Sequence, residues 1–244
     1  MTTTTLEHDL QELATASRIL ALGGHEDATL GHVSLRDPDG RGVWLKRRGL
    51  GLSEVRTADD FVLVDFDGNK IAGDGRRHSE WPLHTEIMRA RPEIRASAHS
   101  HPEYATLIAA LDTKFKLVTQ DGLRIRHQKV ARYTATADLI RTRERGREVA
   151  VALGDANVIL LRNHGLSFFA ESVRELALAG LNIERAARAL IRLLSSGEPI
   201  VVPRPSDTPE LCGTPYNEDF VTDNWEYWVR ELERHERRVG LDKG

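Results

Sequence analysis

Ile94-Arg-Ala-Ser-Ala-His-Ser-His-Pro-Glu-Tyr-Ala-Thr-Leu-Ile108 is the stretch on which the reading of this chain turns. Ile94 to His99 reads as a short, half-buried strand, and Pro102-Glu103 as the first turn of a helix to about Leu111. His99 and His101 therefore straddle a strand-to-helix junction. Side chains two apart on an extended segment point the same way, so both imidazoles can serve one ion without distorting the backbone. A third histidine, His164 in Val158-Ile-Leu-Leu-Arg-Asn-His-Gly165, follows another apolar strand, next to a glycine that ends it. Three imidazoles delivered from two strand ends make a metal site with an open position. The chain has ten histidines, and one alone at a strand end is more often solvated than a ligand. The surrounding pattern has to carry the argument.

The whole chain sets broad limits. With 244 residues, 40% hydrophobic and 29% charged, it has the profile of a globular protein and can bury a sizeable core. The net charge of −3, with both signs interspersed, gives no electrostatic case for nucleic acid. The start, Met1-Thr-Thr-Thr-Thr-Leu-Glu-His-Asp9, lacks a basic segment followed by an apolar one, and no uncharged apolar run reaches the roughly 18 residues of a membrane span. The expectation is a soluble, cytoplasmic protein with no membrane partner. The single cysteine, Cys212, excludes an internal disulfide and a cysteine-rich zinc site.

Working outward, Leu6 to Leu22 fits an amphipathic helix stopped by Gly23-Gly24. A loop holding Gly31 and His32 leads to a short strand and a tight turn over Asp37 to Gly40. Val43-Trp-Leu-Lys-Arg-Arg-Gly-Leu-Gly51 starts as a strand and breaks at three cations, which as a bare triplet read as a solvated edge. Phe61 to Ile71 is a hairpin turning at Asp67-Gly68-Asn69. Ser79 is the expected N-cap of a helix ending before Pro92, which places Glu80 at a helix start favouring the ionised carboxylate. Glu86, six residues on at about 100° per residue, is expected on the surface. A strand is expected over Lys114 to Val118 with a turn at Gln120-Asp121-Gly122, then a helix from about Thr136 to Leu153. Val158 to Arg162 is read as a central strand, Glu171 to Ser196 as the longest helix, and Asn217 to Val239 as a charged amphipathic tail helix able to dock on its own subunit or a neighbour.

The ordered set Gly31-His-Val-Ser34, Ser79-Glu80, His99-x-His101, Ala131-Arg-Tyr133 and Asn163-His-Gly165 resembles the class II aldolase/adducin family over residues 8–195. No single part is specific, but the combination is. The resemblance implies a three-layer α/β/α fold with a central, mainly antiparallel sheet. It also implies one domain over 1–244, with a core of about 8–195 and a C-terminal extension over 196–244. The assembly it implies is a cyclic homotetramer with active sites between subunits. His99, His101 and His164 match the family's ligands for one divalent metal ion per subunit; zinc, manganese, iron and cobalt all suit nitrogen donors. Glu80 matches the family's acid/base, and Tyr133 a tyrosine acting from the neighbouring subunit.

Three departures bear on substrate. Where sugar-phosphate aldolases of the family place small hydroxyl and amide groups around a phosphate, this chain has Gly31-His32, Arg48-Gly49 and His78-Ser79. These six residues are the expected substrate-binding set, and an arginine among them suits a small-molecule carboxylate. The expected activity is metal-dependent decarboxylation of a hydroxylated aromatic or related acid. Aldol cleavage or epimerisation of a hydroxy-carbonyl compound is the alternative, followed by a non-catalytic adducin-like module and an iron-dependent oxygenase.

Overall fold

The computed structural model describes residues 3–126, 129–208 and 217–241; Cys212 lies outside them. Eight strands form one sheet: β1 (His32–Arg36), β2 (Gly42–Lys46), β3 (Phe61–Asp65), β4 (Lys70–Ala72), β5 (Ala96–Ser100), β6 (Val130–Tyr133), β7 (Val158–Leu161) and β8 (Gly165–Ala170). Their order is β4-β3-β2-β1-β5-β8-β7-β6. Every neighbouring pair is antiparallel except β6 and β7.

Helices cover both faces, which the alternation of buried side chains requires. On one face α2 (Pro82–Ala90) and α5 (Arg143–Leu153) pack over Val43, Leu45, Val62, Val64, Ile159, Leu161 and Phe169. On the other, α1 (Thr3–Leu20), α3 (Glu103–Ala110), α6 (Val173–Ser196) and α7 (Glu218–Val239) cover Val33, Leu35, Ala96, Ala98, Leu160, Leu166 and Phe168. A short α4 (Gln120–Arg126) packs on α6. The layered, mainly antiparallel fold is the one expected. α7 docks on its own chain: Val221, Trp225 and Leu232 are buried, and Glu236 pairs with Arg18 (3.0 Å) and with Arg56.

Several local expectations give way to tertiary structure. Lys114 to Val118 forms no strand, and Gln120-Asp121-Gly122 opens α4 instead of turning a hairpin. α5 begins at Arg143, capped by the Thr142 side chain, not at Thr136; the intervening loop crosses the sheet end and reaches Glu80. α2 starts after Trp81 with Pro82 in its first turn and no side-chain cap, so Ser79 is a turn residue. Val158–Leu161 is fully buried but lies one strand from the sheet edge. Gly165 begins a strand, β8, which had no counterpart in the sequence reading.

Candidate metal centre

The centre forms where β5 ends between β1 and β8. His32 pairs with His99 across the sheet and Ser34 with Ser97, so these four side chains share the α2/α5 face. Ala96, Ala98 and Ser100 point to the opposite face. After His101 the chain turns into α3 with Pro102 as the cap residue, and the Glu184 carboxylate from α6 accepts the amides of Tyr104 and Ala105, both at 2.9 Å. This fixes the segment from which His101 reaches in. His164 comes from the tight turn between β7 and β8, made possible by Asn163 at φ 56°. Gly165 follows because a Cβ there would lie 2.6 Å from both the His101 ring and the Ser100 carbonyl oxygen.

The three imidazoles converge: ring centroids are 4.8 Å apart for His99 and His101, 4.8 Å for His99 and His164, and 5.2 Å for His101 and His164. The Glu80 carboxylate lies 3.7 Å from His99 Nε2 and 3.8 Å from His164 Nε2. Hydrogen bonds on the far side of two rings decide which nitrogens face inward. His99 Nδ1 donates to the Leu166 carbonyl at 3.0 Å, and His101 Nδ1 donates to Asp27 Oδ2 at 2.8 Å. With Nδ1 carrying the proton, each neutral ring presents an Nε2 lone pair, and those two atoms lie 3.0 Å apart. Two lone pairs facing one another at that distance repel unless a cation sits between them. The His164 Nε2 is buried with no hydrogen-bond partner. Burial, reinforced by the neighbouring histidines, holds His99 well below its ordinary pKa and His164 down at about 4. Neutral imidazoles, an orphaned nitrogen, opposed lone pairs and an adjacent carboxylate fit a divalent cation, and the carboxylate behind His101 is a recurring support for metal-binding histidines.

Glu80 differs from expectation in one respect. Its ionisation is not governed by the helix start: burial raises its pKa above the usual carboxylate range, opposed mainly by the Ile140 amide donating to Oε1 at 2.9 Å. Glu86 is also not a surface residue. It is 2% exposed, bound to Arg143 at 2.9 Å, and points away from the histidines into the α2–α5 contact.

The six candidate substrate residues divide. His32 and His78 are buried with rings 4.5 Å apart, and His78 Nε2, like that of His164, has no partner. The Arg48 amide donates to the Arg76 carbonyl at 2.7 Å, which brings the Arg48-Gly49 loop to the His78-Ser79 loop. Arg48 and Gly49 are exposed, and Ser79 is half-buried. Desolvation, then the charges of Lys46 and Arg48, push the His78 pKa down to about 3. Gly31 is packed under Leu52. The cation triplet is not one solvated edge: Lys46 is fully buried with its ammonium on the Leu50 carbonyl, Arg47 pairs with Asp60 at 3.2 Å, and only Arg48 is free to the solvent. Tyr133 is not among the described residues that meet the histidines. It is buried beneath α5, and its hydroxyl donates to Glu148 Oε2 of the same chain at 2.6 Å.

Three residues near the centre escaped the sequence reading. His84 sits in the first turn of α2, four residues after Glu80, which precedes the helix; with the helix read as starting after Ser79, the i, i+4 spacing would have placed the two on one face. Asp27 and the Ile140 amide are supplied by loops and carry no local signature.

The family model for the class II aldolase and adducin N-terminal domain matches residues 11–191. The chain belongs to the class II aldolase and adducin family. It is 35% identical over 241 residues to a 3,4-dihydroxyphthalate decarboxylase of Arthrobacter keyseri, covering 92% of each chain. It is 30% identical over 169 residues to an L-fuculose phosphate aldolase of Methanococcus maripaludis, covering 68% of this chain and 87% of that one. Among solved structures, an aldolase II superfamily protein from Pseudomonas syringae superposes with a TM-score of 0.81 at 26% identity, covering 93% of both. No helix of the described residues is long and apolar enough to cross a membrane.

Proposed function

We propose that the protein is a metal-dependent carbon–carbon lyase that decarboxylates a hydroxylated aromatic carboxylic acid of the dihydroxyphthalate type. The observation that carries this reading is the convergence of His99, His101 and His164 on one point beside Glu80, and His32, His78 and Arg48, at positions where phosphate-binding relatives need small donors, support a carboxylate substrate. A divalent ion held by neutral imidazoles keeps its double charge and, as a Lewis acid, stabilises negative charge left when a C–C bond breaks. The protein's part is to hold the acid and manage one proton. Arg48, exposed to solvent, binds a substrate carboxylate through its guanidinium fork. The bond from the ring to the departing carboxylate breaks, its electron pair stays on the ring carbon, and carbon dioxide leaves. Glu80, whose carboxylate lies beside the three imidazoles, gives a proton to the carbon and regains one from solvent.

The 30% identical aldolase supports a second reading, aldol cleavage of a hydroxy-carbonyl compound by the same residues. One experiment separates the two. Metal content is measured on the purified protein, which is then assayed for carbon dioxide release from a panel of hydroxylated aromatic acids, with 3,4-dihydroxyphthalate first, and for cleavage of L-fuculose 1-phosphate. Bound divalent metal and release of carbon dioxide are expected. Faster cleavage of the sugar phosphate than of any aromatic acid overturns the decarboxylase reading in favour of the aldolase.

A further inference from the structure

Behind the metal centre runs a closed polar chain. His32 Nδ1 lies 2.7 Å from His84 Nε2, His84 Nδ1 lies 2.8 Å from Ser34 Oγ and closer still to Ser97 Oγ, and the two serine oxygens are 2.9 Å apart. All four residues are buried, none more than 1% exposed. His32 also borders the site: one ligand-type atom each from His32, Glu80 and His99 lie within 4.8 Å of one another, and its Nδ1 is engaged by His84. By distance alone, then, His32 competes with His101 and His164 for a place in a metal-binding trio with His99.

Counting protons settles which role it has. Ser34 Oγ, Ser97 Oγ and His84 Nδ1 form a triangle. If His84 Nδ1 bore a proton, the triangle would hold three donor protons but only two contacts able to carry one, because a protonated Nδ1 can serve just one of the two serines and accept from neither, leaving one buried hydroxyl unpaired. If Nδ1 is bare, one hydroxyl donates to it, the other donates to its neighbour's oxygen, and every proton is placed. His84 must then carry its proton on Nε2, where it donates to His32 Nδ1. That leaves His32 with a proton on Nε2, aimed at the region beside the Glu80 carboxylate.

We propose that the Ser34–Ser97–His84 chain locks His32 as the Nε2–H tautomer, so that His32 is a neutral hydrogen-bond donor to an anionic substrate oxygen and cannot be a metal ligand. His84 is the positioning residue. It touches no substrate, and it acts by fixing where the His32 proton resides. The inference rests on the reading of the site given above for what that donor meets; the tautomer itself requires neither turnover nor a particular substrate.

The test uses the zinc-loaded protein labelled with 15N-histidine, with His32 assigned by its loss in His32→Gln. Long-range 1H–15N correlation is expected to show His32 protonated at Nε2 alone. His32→Gln should bind zinc at the same ratio per chain as the wild type. His84→Leu, which removes the donor to Nδ1, should reduce kcat/KM about tenfold or more; His84→Gln, whose amide can still donate to Nδ1, should recover most of that loss. Should His84→Leu fail to fold, the Ser34→Ala/Ser97→Ala double variant serves, because it deletes the two hydroxyl donors and should let His32 populate both tautomers. A His32 proton found on Nδ1, or loss of zinc from His32→Gln, overturns the proposal. If the enzyme proves to be an aldolase with His32 protonated at Nε2, the decarboxylase reading fails and this inference stands.

Discussion

The two faces of β5 carry histidines in opposite circumstances. On one, His99 spends its Nδ1 on the Leu166 carbonyl and leaves Nε2 facing His101, His164 and Glu80. On the other, Ser100 meets His25, whose Nδ1 lies 2.8 Å from the serine oxygen and whose Nε2 lies 3.0 Å from the Gly180 carbonyl. Both rings are fully buried and both are held neutral by desolvation. What separates them is the second nitrogen. His25 has both satisfied and joins the turn that follows α1 (Ala21–His25), β5 and α6 as a structural clasp, whereas His99 has one left over. Burial of a histidine is therefore uninformative until each ring nitrogen has been followed to its partner.

Substitutions on the two faces should give effects of different kinds. The largest is expected from His164→Ala, which deletes the orphaned nitrogen: metal content should fall to background and turnover by about a thousandfold or more, with the unfolding transition still cooperative. Full metal occupancy in that variant, by elemental analysis, would break the comparison. His25→Ala should cost about 2–4 kcal/mol of stability in denaturant unfolding, through a cavity and two abandoned buried partners, while the folded protein keeps its metal.

The same contrast has a pH signature. Burial holds His25 down at about 4, against about 6.5 in an unfolded chain. The unfolded state therefore takes up a proton that the folded state refuses. Stability from this group is complete above about pH 6.5 and declines as the pH falls toward 4, by up to about 3 kcal/mol. Part of that decline should vanish in His25→Gln when unfolding is followed across the range; an identical slope in both proteins would show that the clasp is not what titrates. Asp27→Asn should weaken metal binding about 10- to 100-fold, the range for removing a carboxylate that supports a metal-binding histidine, as measured by competition with a chelator. The smallest effect belongs to Arg48→Ala. Since Arg48 is exposed, its loss should raise KM for a carboxylate substrate only about five- to tenfold, with metal retained.

How much of this could be read from the chain follows the range of the interactions involved. His-x-His at a strand end and Asn-His-Gly after an apolar run are short-range patterns, and the three histidines they supply come together at the strand ends. The layered sheet was implied by the family resemblance, while the sequence itself marked individual strands such as β3 and β7 by their apolar residues. Lys114–Val118 misled because its alternation of lysine and apolar residues fits a strand, yet it lies beside the edge strand β6 without joining the sheet. β8 was hidden by His-Gly, which ends β7 and starts the next strand in the same few residues. Glu80 was found for its position, yet its protonation is set by desolvation and by an amide 60 residues away, which no local rule supplies. Lys46 was grouped with two arginines by sequence; in the fold it is the last residue of β2, and alternation sends it into the interior.

That lysine has a practical consequence. Its ammonium is sealed beneath the Arg47–Gly51 loop, resting on the Leu50 carbonyl, and burial brings its pKa down to about 8. At mildly alkaline pH a sizeable fraction is therefore the free amine, chemically ready but out of reach. An acylating reagent can modify it only when the loop lifts, so the rate at which Lys46 is labelled, followed by mass spectrometry, is a stopwatch for the opening of the loop that carries Arg48.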